Sequence, residues 1–352
     1  MARDMPDQDT ASLPSDDLIH AAASLTRDLH DARRAIYWTD FVASATASYV
    51  ALTLAIAAPG WARTAAVAVA AVALYRAVSF IHELTHLKPK AVPGFHTAWN
   101  LMIGVPLLLP SFMYEGIHTL HHTRTRYGTD ADPEYLPLAK MRPWTLVVFL
   151  AAAALAPLAL FIRYALLAPL SLMIPPLRRT VVEQFSALAI RPGFRRPRPE
   201  GDWLVWEVAA SLWAVGLLIM AATGVIPLAA LAIFLAVASG GAVLNQLRTL
   251  AAHLWENDGG PISITAQYLD SVNIPHGPLA ALWAPVGLRF HALHHLLPGL
   301  PYHALGEAHR RLETALPPDS AYHRASHKGL LPLLKRLATA SVSHPRGTAI
   351  RG

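Results

Sequence analysis

Apolar residues fall into long runs along the chain, divided by short basic segments. Two runs, residues 41–58 and 64–81, approach the ~20 residues that a helix needs to span hydrocarbon, and the turn between them carries only Arg63. A second pair, residues 203–223 and 227–250, is joined by the uncharged Gly224-Val225-Ile226. Basic residues collect elsewhere: at Arg27, Arg33 and Arg34, at Lys88, Lys90, Arg124 and Arg126, and at Arg178, Arg179, Arg195, Arg196 and Arg198. The positive-inside rule assigns those segments to the cytoplasm, so both hairpin turns face outward and both termini face inward.

Two stretches do not fit a simple crossing. Residues 143–177 are apolar but interrupted by Pro157 and Arg163, and they are too few for two full spans and a turn. An in-and-out dip or a pair of interfacial helices is expected there, and residues 96–112 are read as re-entrant or buried. Before the first span, Ser15 can cap a helix with Asp16 and Asp17 in its first turn. Leu18, Ala22, Leu25, Leu29 and Ile36 then recur near helical spacing, which predicts an amphipathic interfacial helix over 18–40. The pattern predicts an all-α integral membrane protein of the cytoplasmic (inner) membrane: four transmembrane helices in two hairpins, a cytosolic histidine-rich cap, and interfacial or re-entrant helices. Residues 1–17 are read as a disordered tail, 41–315 as one domain and 316–352 as a cytosolic tail.

Composition sharpens this picture. Hydrophobic residues make up 54% of the 352 and charged residues only 15%, against about a quarter charged in a soluble protein. With no cysteine, disulfides, iron–sulfur ligation and thiolate catalysis are excluded, so a metal must be held by nitrogen and oxygen. The net charge of +6 suits an anionic leaflet or an acidic electron carrier. No basic stripe with interleaved aromatics points to nucleic acid. The acidic start, with Asp4, Asp7, Asp9, Asp16 and Asp17, is unlike a cleaved signal peptide.

Among 18 histidines, three clusters stand out. His82-Glu83-Leu84-Thr85-His86 places two imidazoles one turn apart on a helix; alone, it is also the zinc-protease pattern with Glu83 as base. His118-Thr119-Leu120-His121-His122 combines spacings of three and four, and His291-Ala292-Leu293-His294-His295 repeats it. His253 follows the last span closely. These nine candidates exceed the three or four protein ligands of one zinc and suit two ions with four or five nitrogens each. Imidazole suits several metals, so the ligands alone do not select iron.

The three boxes, with the Pro298-Gly299-Leu300-Pro301-Tyr302-His303 continuation and His309-Arg310-Arg311-Leu312, resemble the membrane fatty acid desaturase superfamily over about residues 40–315. That resemblance implies a cytosolic di-iron centre, reduced by an external carrier, that activates O2 and removes hydrogens from an unactivated carbon chain. It makes ligands of His82, His86, His118, His121, His122, His291, His294 and His295, with His253 as the extra histidine. Some relatives carry an asparagine one turn before that histidine, where this chain has Thr249; Asn245 is eight residues upstream, ~12 Å along a helix. Glu83, Asp130, Asp132 and Glu134 are the carboxylates nearest the boxes in sequence and candidates to orient the rings. His344-Pro345-Arg346-Gly347 faintly resembles a heme-binding motif of a fused cytochrome b5, but too little chain follows it for such a domain. The donor is therefore expected to be a separate protein of ferredoxin, rubredoxin or cytochrome b5 type.

The Pro-Tyr-His continuation favours desaturation of an acyl chain as the expected reaction. Hydroxylation or ketolation of a lipid, alkane or carotenoid is the alternative within the same chemistry. A membrane zinc metalloprotease or a metal transporter is the alternative of another class.

Overall fold

The computed structural model describes residues 15–277 and 279–343. The expected disordered tail lies mostly outside these residues, as does the segment from His344 onward. The described chain is helical, with isolated bridges such as His253 to Ser271 in place of a sheet. Five helices are long and apolar enough to cross a membrane: Arg34–Ala57, Gly60–His86, Trp144–Ser171, Trp203–Ala222 and Leu228–Leu250. Large apolar side chains such as Leu54, Val147, Leu155 and Leu212 remain exposed on them. A soluble monomer rarely presents so much apolar surface, and lipid contact accounts for it.

Both expected turns form; the first pair of helices is longer than its hydropathy runs and closely packed, whereas the second pair, Trp203–Ala222 and Leu228–Leu250, matches its runs to within a residue. In the first, Ser44, Ala45, Ser48 and Ala51 on one helix and Ala70 and Ala77 on the other are buried, and such small side chains let two backbones approach closely in lipid. Leu228–Leu250 packs on Gly60–His86, and there a Cβ at Gly240 would come within 3.0 Å of the Ala71 methyl. Gly224, at φ +76°, closes the second hairpin in a conformation that a β-carbon would strain.

The interrupted stretch is one continuous helix, Trp144–Ser171, rather than a dip or a pair. Pro157 is accommodated within it, and its π-helical turn Arg163–Leu167 lets the helix continue through a charged residue. The Arg163 guanidinium is buried and paired at two of its three nitrogens: Nη2 donates to Glu207 Oε1 and Ser186 Oγ at 2.8 Å each, and Nε to the Phe185 carbonyl at 2.6 Å, while Nη1 has no partner. Arg178 supplies a second cation to Glu207 at 2.6 Å. A sequence window counts Arg163 as a break because its partners lie 22 to 44 residues away.

Phe149, near the start of this helix, packs with Leu250, whereas Tyr164 and Ala165 pack with Trp203. Leu250 and Trp203 are the ends of their spans opposite the 223–227 turn. The helix thus starts beside the histidine-bearing end of Leu228–Leu250 and packs along that span.

Two other segments differ from the sequence reading. The amphipathic helix covers Ser15–Leu25 only, and the first span already begins at Arg34. Its apolar side meets protein, with Leu18 and Ala22 buried against Tyr268, Leu293, Leu297 and Leu312. Residues 96–112 are only partly buried, with Trp99, Ile103 and Phe112 inside and Leu101 59% exposed; Asn100 fixes the segment, its Nδ2 donating to Ser111 Oγ and its Oδ1 accepting from the Ser111 amide, both at 2.8 Å.

Candidate metal centre

The first histidine pair rides on the last turns of Gly60–His86, so spacing of four aims both rings at one point. The second cluster occupies the short helix His118–His121 and its end, and the third occupies His291–Leu296. His253 stands three residues past Leu228–Leu250 and is tied by backbone pairing to Ser271. All nine histidines predicted as ligands converge, and they sort into two groups. His82, His86, His118, His122 and His294 form one, and His121, His253, His291 and His295 the other; within each, one candidate ligand atom per residue lies within 4.8 Å of every other. Each repeated box is split between the groups, because its i, i+3 and i+4 rings fan out around a short helix.

Ring geometry tests whether cations fit there. Nε2 atoms approach one another at 2.9 Å for His118–His122, 3.0 Å for His253–His291, 3.1 Å for His122–His294 and 3.2 Å for His291–His295. A cation about 2.1 Å from each nitrogen, at a right angle, would separate neighbours by about 3.0 Å. Both ring nitrogens of His82, Nε2 of His86, and Nδ1 of His122, His291 and His295 are buried without a hydrogen bond. Converging lone pairs without donors suit metal ions and are costly otherwise. Burial also holds His118, His122, His253, His291, His294 and His295 well below the ordinary histidine pKa, which keeps the rings neutral.

Hydrogen bonds on the other ring nitrogens aim several lone pairs inward. Glu134 Oε2 sits 2.5 Å from His118 Nδ1, and the Tyr114 hydroxyl 2.9 Å from the same atom. Asp132 Oδ2 is 2.9 Å from His121 Nδ1, and its oxygens also accept from the Gly128 and Glu134 amides at 2.8 and 2.9 Å. Gly128 is required there: at φ +71°, a Cβ would fall 2.1 Å from Asn257 Nδ2. Burial opposes a proton on His121, yet pairing with Asp132 raises its pKa overall. Burial pushes the Glu134 carboxyl up to about 7, against the opposing pull of His121.

The other carboxylates in sequence reach behave differently. Glu83 Oε2 accepts from the Tyr37 hydroxyl at 2.6 Å and the Tyr302 amide at 3.1 Å, while Oε1 stands 3.8 Å from His82 Nδ1. It clamps the first helix of the bundle and the third box to the second. Asp130 is not at the centre: its side chain is 94% exposed and pairs with Arg191, because the Gly128 turn directs Asp132 inward instead. Thr249 lines the adjacent cavity, but its hydroxyl donates back to the Asn245 carbonyl at 2.9 Å.

Sequence reading missed Asp270, whose Oδ2 accepts from Tyr127 and Tyr135 at 2.8 and 2.7 Å. The Tyr127 hydroxyl lies 2.9 Å, and Ser271 Oγ 3.2 Å, from His253 Nδ1. Both hydroxyls donate elsewhere, to Asp270 and to the Gln267 carbonyl, so they accept from His253. His253 Nδ1 thus carries the proton and Nε2 is free to bind. No local motif marks Asp270, which stands 17 residues from His253.

Beneath the histidines lies a cavity of about 400 Å³ between the second, third and fifth long helices. His82, His118, His121, His253 and His291 reach its wall, so both groups open onto it. The opposite walls are apolar, with Leu74, Val78, Ala152, Ala156 and Leu160, and small alanines on Trp144–Ser171 leave the room. The arrangement sets an apolar cavity beside two groups of histidine nitrogens.

The family model described as fatty acid desaturase matches residues 59–327. A protein from Caulobacter vibrioides (strain NA1000 / CB15N) named "Ceramide hydroxylase" is 48% identical over 325 residues, which covers 90% of this chain and 92% of that protein. No solved structure matches.

Proposed function

The chain belongs to the fatty acid desaturase family, and from that premise we propose that it is a di-iron, O2-dependent hydroxylase of a ceramide or closely related lipid. That it is a membrane oxidoreductase acting on lipid follows from the family; hydroxylation and the substrate are our inference. The observation that carries it is the 48% identity to a ceramide hydroxylase across nearly the whole chain. It outweighs the desaturation expected from the third box, since the same ligand set serves either outcome.

The overall reaction balances as R–H + O2 + 2 e⁻ + 2 H⁺ → R–OH + H2O, with electrons from a separate donor protein of ferredoxin, rubredoxin or cytochrome b5 type. Iron held by the two groups would supply the reduction of O2 and the oxidising power that no side chain has. The protein's own residues do the rest. Nine imidazoles would ligate; Glu134, Asp132 and Tyr127 fix the orientation of His118, His121 and His253; and the apolar cavity positions the chain and excludes water. The basic segments support an inner-membrane location with the centre and both termini on the cytosolic side.

Mass spectrometry of ceramide turned over by the purified, iron-loaded protein with O2 and reductant tests the reading. A gain of one oxygen is expected. Loss of two hydrogens without added oxygen would return the protein to the desaturases, and one zinc per chain with full function would remove the di-iron reading.

A further inference from the structure

One cation near the centre has no counterion. Arg248 sits in the last turn of Leu228–Leu250, five residues before His253, and lines the cavity at its histidine end. It forms no ion pair among the described residues. Its Nη2 donates to Asn245 Oδ1 at 3.2 Å, and its Nε is buried without any partner. The nearby carboxylates are committed elsewhere: Glu134 to His118, Asp132 to His121 and Asp270 to two tyrosines. Gln246 lines the same cavity, and the walls farther from the histidines are hydrocarbon.

A half-buried guanidinium beside prospective metal cations is unfavourable unless an oxygen accepts its protons. A pure hydrocarbon in the cavity would leave the guanidinium's remaining N–H donors unpaired, whereas an oxygen-bearing lipid head would accept from them. We propose that Arg248, flanked by Asn245 and Gln246, hydrogen-bonds an amide or hydroxyl oxygen of the lipid head and so selects which carbon faces the histidine groups. This makes Arg248 a specificity-determining residue and the cavity amphipathic: polar beside the histidines and apolar away from them. The inference rests on the lipid-hydroxylase reading and deepens it by naming what recognises the head. A site built to bond an oxygen discriminates strongly against ligands lacking one, because its own donors are then left unpaired.

The test compares wild type, R248Q and R248K, each with iron content measured. Binding of a short fluorescent ceramide and of a fluorescent hydrocarbon of matched length is followed in detergent micelles, alongside ceramide kinetics and the position of the new hydroxyl. For R248Q we expect ceramide affinity and kcat/KM to fall roughly ten- to a hundredfold, the span of one charge-assisted hydrogen bond. The change should appear mainly in KM, with a more scattered hydroxyl position, wild-type iron content and unaltered hydrocarbon binding; R248K should recover part of the loss. Equal weakening of ceramide and hydrocarbon, or lost iron in both variants, would assign Arg248 a structural role and overturn the inference. So would a variant with wild-type KM and hydroxyl position. If wild type binds ceramide in an Arg248-dependent way but never oxygenates it, the hydroxylase reading fails while the recognition stands.

Discussion

Asp270→Asn is the substitution that best probes how the protein holds its metals, because it keeps shape and removes one buried charge. Asp270 Oδ2 accepts two tyrosine hydroxyls, and only one, Tyr127, continues to His253 across 2.9 Å. A hydrogen bond to a charged acceptor contributes about 1.5–3 kcal/mol and a neutral one about 1, so each tyrosine bond weakens by roughly 0.5–2 kcal/mol. The Tyr135 share stays within the local core with Trp255; Tyr135 touches His253 edge-on, ring centroids 6.0 Å apart, but makes no hydrogen bond to it. The Tyr127 share loosens His253, and the middle of that range corresponds to roughly a tenfold loss of affinity. That lies at the lower end of the 10- to 100-fold effects typical of removing a partner of a metal-binding histidine. The assay equilibrates metal-free protein with chelator-buffered ferrous iron and counts bound iron per chain. His121, His253, His291 and His295 make up the four-membered group, so one of two irons should require about tenfold more free iron while the other binds as before. Unchanged binding of both irons would refute the relay from Asp270, and equal weakening of both would refute its confinement to one group.

Three further outcomes are expected. Ala156→Phe narrows the cavity below the histidines and should lower lipid turnover roughly tenfold or more with iron content intact; unchanged kcat/KM would place the chain elsewhere. Glu207→Gln leaves Arg163 as a buried unpaired cation, and breaking such a pair costs about 3–5 kcal/mol, so the melting temperature in detergent should fall markedly; an unchanged melt would show that the cluster adds no stability. Burial pushes the Asp270 carboxyl up to about 6, above its unfolded value of about 3.9, so its stabilising contribution is complete below about pH 4 and is lost as pH rises through about 6. In melts of metal-free protein, Asp270→Asn should therefore gain on wild type as pH rises across that window, and a pH-independent difference would contradict the assignment.

Much of the centre was legible in the sequence because helical spacing is a local property. Two histidines four apart face one way whatever surrounds them, so His82 and His86, and the two repeated boxes, could be named as ligands before any fold was known. Nine candidates suited two ions, and hydropathy located four of the five long helices. Which histidine joins which group was not legible: His121 and His122 are neighbours in sequence but belong to different groups. That choice depends on how three short helices are docked.

Tertiary packing alone also decided that Asp132 turns inward and Asp130 outward, that Asp270 reaches His253 through Tyr127, and that Arg163 is neutralised inside one continuous helix. Each of these rests on a bond between residues distant in sequence or on the direction of a loop, for which spacing carries no information. The ligand types and their periodicity were determined by the sequence itself. Their partition between two sites, the hydrogen bonds that aim them and the cavity they face exist only once the long helices have brought those segments together.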